Sequence, residues 1–261
     1  MSEALPLVPP PQTSIHGSLD GSWSWRRGTA VFVASLAALT LLHFDALDSP
    51  PTKDQAMGLW MEANFLAESG YDYAALLQQP GEFQGGPRLY VISVLPTFLA
   101  LLMKVTTTPQ DAIFAYHVFT LACAAVVLAV VFELIRPATS TLIAVLCCGA
   151  LATTPAFSVQ VELCGMDVPL AAVVAVSAWW TLRGRLFLGA GSSLLAFLVK
   201  QSGIFVTAAT LVAALWLVAR PGNSAPVVSR GRAVVAALLC LVLLLAELIV
   251  FFSGISGLGR F

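Results

Sequence analysis

The chain contains 261 residues, of which 58% are hydrophobic and only 10% are charged, and its mean hydropathy is +0.88. Soluble domains carry about 25% charged residues, so this composition excludes a disordered chain, a fibrous protein and a typical soluble enzyme. The 13 basic and 14 acidic residues give a net charge of −1, which provides no basic excess for binding nucleic acid. We therefore expect a protein that lies mostly in the lipid bilayer and has no nucleic-acid partner.

The chain begins with a segment that is unlike the rest. Residues 1–28 are rich in proline, serine and glycine and lack apolar periodicity, which predicts a flexible cytoplasmic tail. Arg26 and Arg27 close this tail and an apolar run over 29–42 follows, an order also typical of a secretory signal. No small-residue cleavage site follows, and many apolar runs lie downstream, so we interpret 29–42 as an uncleaved first membrane helix.

Apolar runs return along the rest of the chain, and they are expected to form helices because lipid offers no partner to an open strand edge. A hydrocarbon core takes about 20 helical residues, so several of these runs are short and need boundary residues or neighbouring helices to complete a span. The runs cover 89–103, 112–135, 140–156, 168–182, 186–199, 203–219 and 233–252.

The run 89–103 decides the topology, since it contains Pro96, ends at Lys104 and is shorter than a comfortable span. If it lies flat on the membrane surface and the N-terminus is cytoplasmic, seven spans remain and eight of the 13 basic residues lie on the cytoplasmic side. If it crosses the membrane, only five of the 13 basic residues lie on the cytoplasmic side and eight lie outside. The positive-inside bias therefore favours the surface helix. The predicted fold is an all-α polytopic membrane helix bundle with about seven transmembrane helices. The eight basic residues are Arg26, Arg27, Arg136, Arg183, Arg185, Arg220, Arg230 and Arg232.

The first outer loop, 43–111, is expected to carry two interfacial helices. Residues 43–88 hold half of the acidic side chains of the chain. Helical spacing over 54–69 collects apolar side chains on one face and polar ones on the other, the pattern of a helix in the headgroup region. Together with 89–103, this helix is expected to wall a cavity at the outer membrane boundary.

A few ionisable side chains at the predicted outer boundary are the candidates for chemistry. They are Asp54, the pair Glu162 and Asp167, and Lys200. Carboxylates there can act as general bases or hold a divalent ion, and a lysine can neutralise a phosphate. Ionisable groups at membrane depth are costly, which makes them functional candidates.

Each candidate also has a structural interpretation, which spacing alone leaves open. Thr52-x-x-Gln55 fits a capping box, so Asp54 would only favour the positive N-terminus of a helix. Asp167 stands before a Val-Pro pair, where an N-cap aspartate is ordinary. Lys200 would extend from a helix end to the headgroups.

The remaining ionisable residues are expected to be structural. Glu133 and Glu247 lie near the ends of spans or within them and are interpreted as packing or boundary residues. The three histidines share no metal-binding spacing, so no histidine site is predicted; they are His16, His43 and His117. The acidic residues that follow Asp54 are interpreted as a solvated face; they are Glu62, Glu68 and Asp72.

The order of the elements is similar to that of a known family. The outer loop holds "KDQAMGLWMEANFLAESGYDY", and the stretch 167–203 combines Asp-Val-Pro, Arg-x-Arg, a Gly-rich segment and Val-Lys-Gln-Ser-Gly. In this order and spacing, residues 29–252 resemble the GT-C superfamily of membrane glycosyltransferases. The resemblance is to the branch of the protein O-mannosyltransferases and the aminoarabinose or galacturonic acid transferases.

The resemblance implies transfer of a sugar from a polyprenyl-phosphate donor to an acceptor at the outer face of the membrane. In the family an acidic pair opens the first surface helix, and its aspartate is the proposed catalytic base. The matching positions here are Asp54 and Gln55, so the second acid is missing. A family arginine early in the next span corresponds to His117.

The resemblance also implies roles for the other candidates. Lys200 matches a family lysine, and Arg88 follows Gly-Pro where the family has Lys-Pro-Pro, so these two would bind the donor phosphate. Asp167 keeps the family's Asp-x-Pro, and with Glu162 it would orient the acceptor or a divalent ion. No cofactor is otherwise implied, and a metal held by Asp54 and Asp167 stays open.

Two alternatives to a complete enzyme remain. Family members usually continue through further spans, whereas 253–261 ends this chain after the seventh run, so it resembles the N-terminal module alone. A partner subunit would then complete the site, or the protein would be an inactive scaffold. The other alternative is a transporter component, which should show paired halves and polar groups at mid-membrane. The sequence has no internal repeat, and its acids concentrate in outer loops, which favours chemistry at the boundary.

Overall fold

The computed structural model describes residues 25–52, 56–78, 94–219 and 229–256, and all of the regular structure in these ranges is helical. The all-α prediction is confirmed there. A π-helical turn precedes the second helix, and short 3₁₀ turns follow the first, fifth and ninth. Eleven helices are described: Trp25–Leu42 (α1), Met61–Ser69 (α2), Tyr73–Gln78 (α3), Val94–Val105 (α4), Pro109–Ile135 (α5), Thr141–Ala152 (α6), Pro155–Glu162 (α7), Asp167–Leu182 (α8), Leu186–Val199 (α9), Ile204–Ala219 (α10) and Arg230–Ser256 (α11).

Three of the described helices are long and apolar enough to cross a membrane. They are α5, α10 and α11, and α6 with α7 adds a fourth if this bent pair, with an angle of 61° at its break, is one span. α8 and α9 have only 16 and 14 residues, or about 24 and 21 Å, against a hydrocarbon core of about 30 Å. The chain is therefore a membrane protein by the character of its helices, while the count of seven spans stays a prediction.

The break between α6 and α7 divides a run that the sequence indicated as continuous over 140–156. The hydroxyl of Thr153 donates to the Gly149 carbonyl at 3.0 Å, and that of Thr154 donates to the Leu151 carbonyl at 2.8 Å. Pro155 then begins α7, where its missing N–H costs nothing. The two threonine hydroxyls thus donate hydrogen bonds to backbone carbonyls in the last turn of α6.

Specific contacts fix how the helices run. α1 and α5 are antiparallel, because Arg27 meets Glu133 at one end of the pair while His117 meets the Ser49 carbonyl at the other. The hydroxyl of Tyr116 donates to the Gly165 carbonyl at 3.1 Å, which brings the start of α8 to the start of α5. We call the end that carries Arg27 and Glu133 the arginine end. We call the opposite end, which carries Asp167 and Lys200, the lysine end.

The two predicted surface helices lie at the lysine end and pack on each other. The helix predicted over 54–69 is a π-helical turn, Ala56–Trp60, that continues into α2, and the one predicted over 89–103 is α4, Val94–Val105. A buried apolar cluster joins them to the bundle and includes Leu59, Trp60, Ala63, Leu66, Leu95, Leu99, Ala100, Tyr116, Cys164 and Val199. The packed face of α2 therefore points toward the helix bundle.

The beginnings of α1 and α5 differ from the sequence prediction. α1 begins at Trp25, inside the tail predicted over 1–28, and Arg27 in its first turn pairs with Glu133. α5 begins at Pro109 instead of residue 112, because Thr108 and Asp111 form a capping box that holds the first turn. Residues 1–24 and 257–261 lie outside the described residues.

Candidate functional site

Asp167 and Lys200 form an ion pair at the lysine end. Nζ of Lys200 donates to Oδ1 of Asp167 at 2.5 Å, across 33 positions of sequence. Asp167 is the first residue of α8, and Lys200 follows the last residue of α9. The side chain of Lys200 is 39% exposed and that of Asp167 is 43% exposed, so the pair is accessible at the surface of the bundle.

The ion pair connects two residues for which a catalytic and a structural interpretation were both left open. The N-cap position of α8 is occupied by Met166, and the Asp167 carboxylate accepts a hydrogen bond from Lys200. Asp167 is therefore not the N-cap of α8, and its bond to Lys200 is compatible with a structural role and with a role in transfer. The sequence predicted both residues at the same boundary, and the structure brings their side chains into contact.

Close packing holds the backbone around Lys200. Lys200 has extended backbone (φ −155°, ψ 139°), which ends α9, and its carbonyl accepts from the N–H of Gly203 at 2.8 Å. A Cβ added to Gly203 would overlap the backbone carbonyl of Ala196 and the backbone nitrogen of Phe197. The turn at Gln201–Gly203 can therefore fold back on α9 only with glycine at position 203.

A second pair lies beside the start of α8, between Glu162 and His43. Oε1 of Glu162, at the last position of α7, lies 2.9 Å from Nδ1 of His43, which follows α1. The His43 side chain is 5% exposed and the Glu162 side chain 46%. Nε2 of His43 is shielded from solvent and has no hydrogen-bond partner among the described residues. A carboxylate only accepts, so Nδ1 of His43 carries the donated proton.

The sequence did not predict the roles of the two described histidines. The sequence did hold one indication of a role for His43, which is its position directly after the apolar run 29–42. His117 is also buried, and its Nε2 lies 3.1 Å from the Ser49 carbonyl. Since a carbonyl accepts only, Nε2 of His117 is the donor. The two rings connect α1 and its following turn to α7 and α5.

An apolar layer beneath α2 and α4 lies at the same end of the bundle as the two pairs. The rings of Trp60 and Tyr116 meet edge to face with centroids 5.8 Å apart. Cys164 is fully buried in the connection between α7 and α8, and this burial raises the pKa of its thiol to about 12. A thiol with so little thiolate at neutral pH is not a nucleophile, so Cys164 acts as a packing residue.

Three of the five predicted site residues lie in the described part of the chain, and all three are at the lysine end. Glu162 and Asp167 flank the connection between α7 and α8, and Lys200 bonds to the second of them. Asp54 and Arg88 lie outside the described residues, so their predicted roles stay predictions.

The described residues do not fit a metal site. No three of their His, Cys, Asp and Glu side chains are grouped closely enough to share a cation. The carboxylate of Asp167 accepts from Lys200, and Asp54, the other ligand of the metal left open by the sequence, lies outside the described residues. We therefore derive no step through a divalent ion.

The acidic residues interpreted as structural have structural partners. Glu133 pairs with Arg27, and Glu247 accepts from the Thr207 hydroxyl at 2.9 Å. Both glutamates are buried, at 2% exposure. The Asp72 carboxylate accepts from the N–H of Ala75 at 2.9 Å in the first turn of α3.

Comparison of the chain with protein-family models, with curated proteins and with solved structures finds no match.

Proposed function

We propose that this protein is a membrane glycosyltransferase that moves a sugar from a polyprenyl-phosphate donor to an acceptor at the outer face of the membrane. The observation that carries the proposal is the exposed Lys200–Asp167 ion pair, beside a second polar pair, His43–Glu162, in an otherwise apolar bundle. An accessible ammonium group at the membrane boundary suits the phosphate of a lipid-linked donor, whose prenyl chain stays in the bilayer.

The proposal includes the orientation predicted from the basic residues. With the N-terminus cytoplasmic and seven spans, the lysine end faces outward and the arginine end faces the cytoplasm. The short helices α8 and α9 would then complete their spans with boundary residues. Arg183 and Arg185 support this, since their guanidinium groups stack on Trp179 and Trp180 at 4.9 and 5.0 Å, a combination suited to a membrane interface.

In the proposed reaction Asp54 is the general base. Its carboxylate takes the proton of the acceptor hydroxyl as the hydroxyl oxygen forms a bond to the anomeric carbon. The bond from that carbon to the phosphate oxygen breaks on the opposite face, so the configuration inverts. The bonding electrons remain on the departing polyprenyl phosphate.

Lys200 is proposed to stabilise the charge that develops on this leaving phosphate. An ammonium group has three N–H donors, and the bond to Asp167 uses one of them. The others remain for the phosphate while Asp167 holds the side chain in position. Preorganised donors of this kind stabilise a transition state without reorganising during the reaction. Arg88 is proposed as a second phosphate ligand.

Glu162 is proposed to orient the acceptor. Its side chain is half-exposed, and the bond from His43 to Oε1 fixes the carboxylate while Oε2 remains for a substrate hydroxyl. Asp167 acts with it from the other side of the connection between α7 and α8.

A non-catalytic scaffold is the second candidate, and the same ion pair favours it in a different way. Asp167 neutralises Lys200 and joins α8 to α9, which is sufficient reason for both residues in a structural protein. In a scaffold, any substitution that preserves the link between the helices preserves function.

Replacing Asp54 tests the proposal. Membranes containing Asp54→Asn should lose transfer of radiolabelled sugar from the polyprenyl-phosphate donor, with unchanged insertion of the protein. Asp48→Asn is the matched control, because Asp48 is an exposed acid of the same loop and should keep wild-type transfer. Wild-type rates in Asp54→Asn would contradict its role as base.

A further inference from the structure

The arginine end contains a second set of charges that the proposed reaction does not use. Nε of Arg27 donates to Oε1 of Glu133 at 2.9 Å, and Nη2 lies 3.5 Å from Oε2. The Glu133 side chain is 1% exposed, whereas that of Arg27 is 31% exposed. The guanidinium group therefore covers the buried carboxylate and also reaches the boundary of the bundle.

Arg136 lies on the same face of α5 as Glu133. The two are three positions apart at the end of the helix, a spacing that brings side chains together. Arg136 is partly buried, and its Nε is shielded from solvent with no hydrogen-bond partner among the described residues. A buried donor that lacks an acceptor is costly, so this guanidinium group is suited to a ligand that supplies one.

The charges at this end are unbalanced. Arg26, Arg27 and Arg136 bring three positive charges to the region, and Glu133 brings one negative charge. Arg136 lies in the final turn of a segment, 109–138, that is long and apolar enough to cross a membrane. A surplus of positive charge where a span meets the headgroups is the setting in which proteins bind anionic lipids.

We propose that Arg136, together with Arg27, forms a binding site for the phosphate of an anionic phospholipid. Guanidinium groups recognise phosphate oxygens through paired hydrogen bonds, and the phosphate supplies an acceptor that Nε of Arg136 does not find among the described residues. Glu133 limits the affinity, because its carboxylate holds Arg27 and repels the ligand. This site is at the opposite end of the bundle from Lys200, and it does not depend on the proposed transferase activity.

Native mass spectrometry of the full chain tests the site. The protein is released from nanodiscs that contain equal amounts of phosphatidylglycerol and phosphatidylcholine with identical acyl chains. Wild type should retain phosphatidylglycerol in preference to phosphatidylcholine. Arg136→Gln should retain about tenfold less, the loss of one charge-assisted hydrogen bond. Glu133→Gln should retain more than wild type, since it removes the competing charge and still accepts from Arg27.

Arg185→Gln is the matched control. Arg185 is an exposed arginine at the same end of the bundle, stacked on Trp180, and its removal should not change lipid retention. If Arg136→Gln fails to fold, Arg136→Lys replaces it and should lower retention by about threefold, because the charge remains while the planar fork is lost. Wild-type retention in the Arg136 variants would overturn the proposal.

Two further results would also overturn it. Equal retention of the two lipids by the wild type would show that the site does not select an anionic headgroup. Displacement of bound lipid by inorganic phosphate at millimolar concentration would identify a soluble anion as the ligand, whereas the lipid site predicts no displacement.

Discussion

The amine of Lys200 bonds to the carboxylate of Asp167, and this contact joins the residue after α9 to the first residue of α8. The two helices form a hairpin whose other end is the turn at 183–185. The hydroxyl of Ser177 donates to the Gly189 carbonyl at 2.9 Å between these two helices. The hairpin is therefore fixed along its length, and the ion pair closes it at the lysine end.

Exchanging the two charged residues separates a structural role from a role in transfer. Both side chains are about two-fifths exposed, so Lys200→Gln should lower the free energy of unfolding by less than about 1 kcal/mol. The double variant Asp167→Lys with Lys200→Asp should regain the wild-type unfolding midpoint in detergent. Its transfer rate should stay about 100-fold or more below wild type, because the ammonium group has moved away from the donor phosphate. Recovery of transfer in the double variant would indicate that the pair serves only to join the helices.

The bond between His43 and Glu162 predicts different effects for two similar substitutions. In His43→Asn the side-chain amide nitrogen takes the place of Nδ1, whereas in His43→Gln it takes the place of Nε2. His43→Asn should therefore keep the bond to Glu162. His43→Gln should lose this bond, which lowers the free energy of unfolding by about 1 kcal/mol, the contribution of one hydrogen bond. Thermal unfolding in detergent measures the difference. Equal midpoints in the two variants would contradict a bond through Nδ1.

Two glycines, one within α9 and one in the turn that follows it, predict opposite effects of the same substitution. Gly203→Ala should destabilise the protein by about 1–3 kcal/mol, because the added methyl group meets the backbone of α9, which cannot move aside cheaply. Gly191→Ala should stabilise it by about 0.5–1 kcal/mol, because the position is an exposed one within α9 and has open space around it. Unfolding midpoints of the two variants report the sign of each effect. A neutral Gly203→Ala would argue against the close approach of the turn to Ala196.

Burial of Cys164 predicts how its thiol reacts with a maleimide. With the thiol pKa raised to about 12, the thiolate fraction at pH 8 is roughly 1,000-fold lower than that of an unperturbed cysteine. In a variant that keeps only Cys164, labelling should be slow and should rise with pH up to pH 10 without levelling off. After unfolding in detergent it should become fast and level off above about pH 9. Fast labelling of the folded protein would contradict the packing of the connection between α7 and α8.

The positions of the helices could be predicted because long apolar runs in the sequence are sufficient to define them. The runs over 168–182, 186–199 and 203–219 agree with α8, α9 and α10 to within one residue at each end. The predicted alternation of the spans then puts Asp167 and Lys200 at the same end of the bundle. Their proximity follows from topology without knowledge of side-chain packing.

The pairing of His43 with Glu162 was not predictable in the same way. The two residues are 119 positions apart, and their contact depends on how α1 and α7 are rotated about their axes. Helices that are apolar on most faces carry little periodicity to define that rotation. The break between α6 and α7 did have a signal in Pro155, because proline begins helices more readily than it continues them.

The central claim is tested most directly by sugar transfer with the wild-type chain. Membranes with and without the protein are incubated with radiolabelled polyprenyl-phosphate sugars, and the label is followed from the lipid donor to an acceptor. The proposal predicts that label reaches the acceptor, and free polyprenyl phosphate forms, only in membranes that contain the protein. Equal labelling with and without the chain, across the donor sugars tested, would contradict a transferase function.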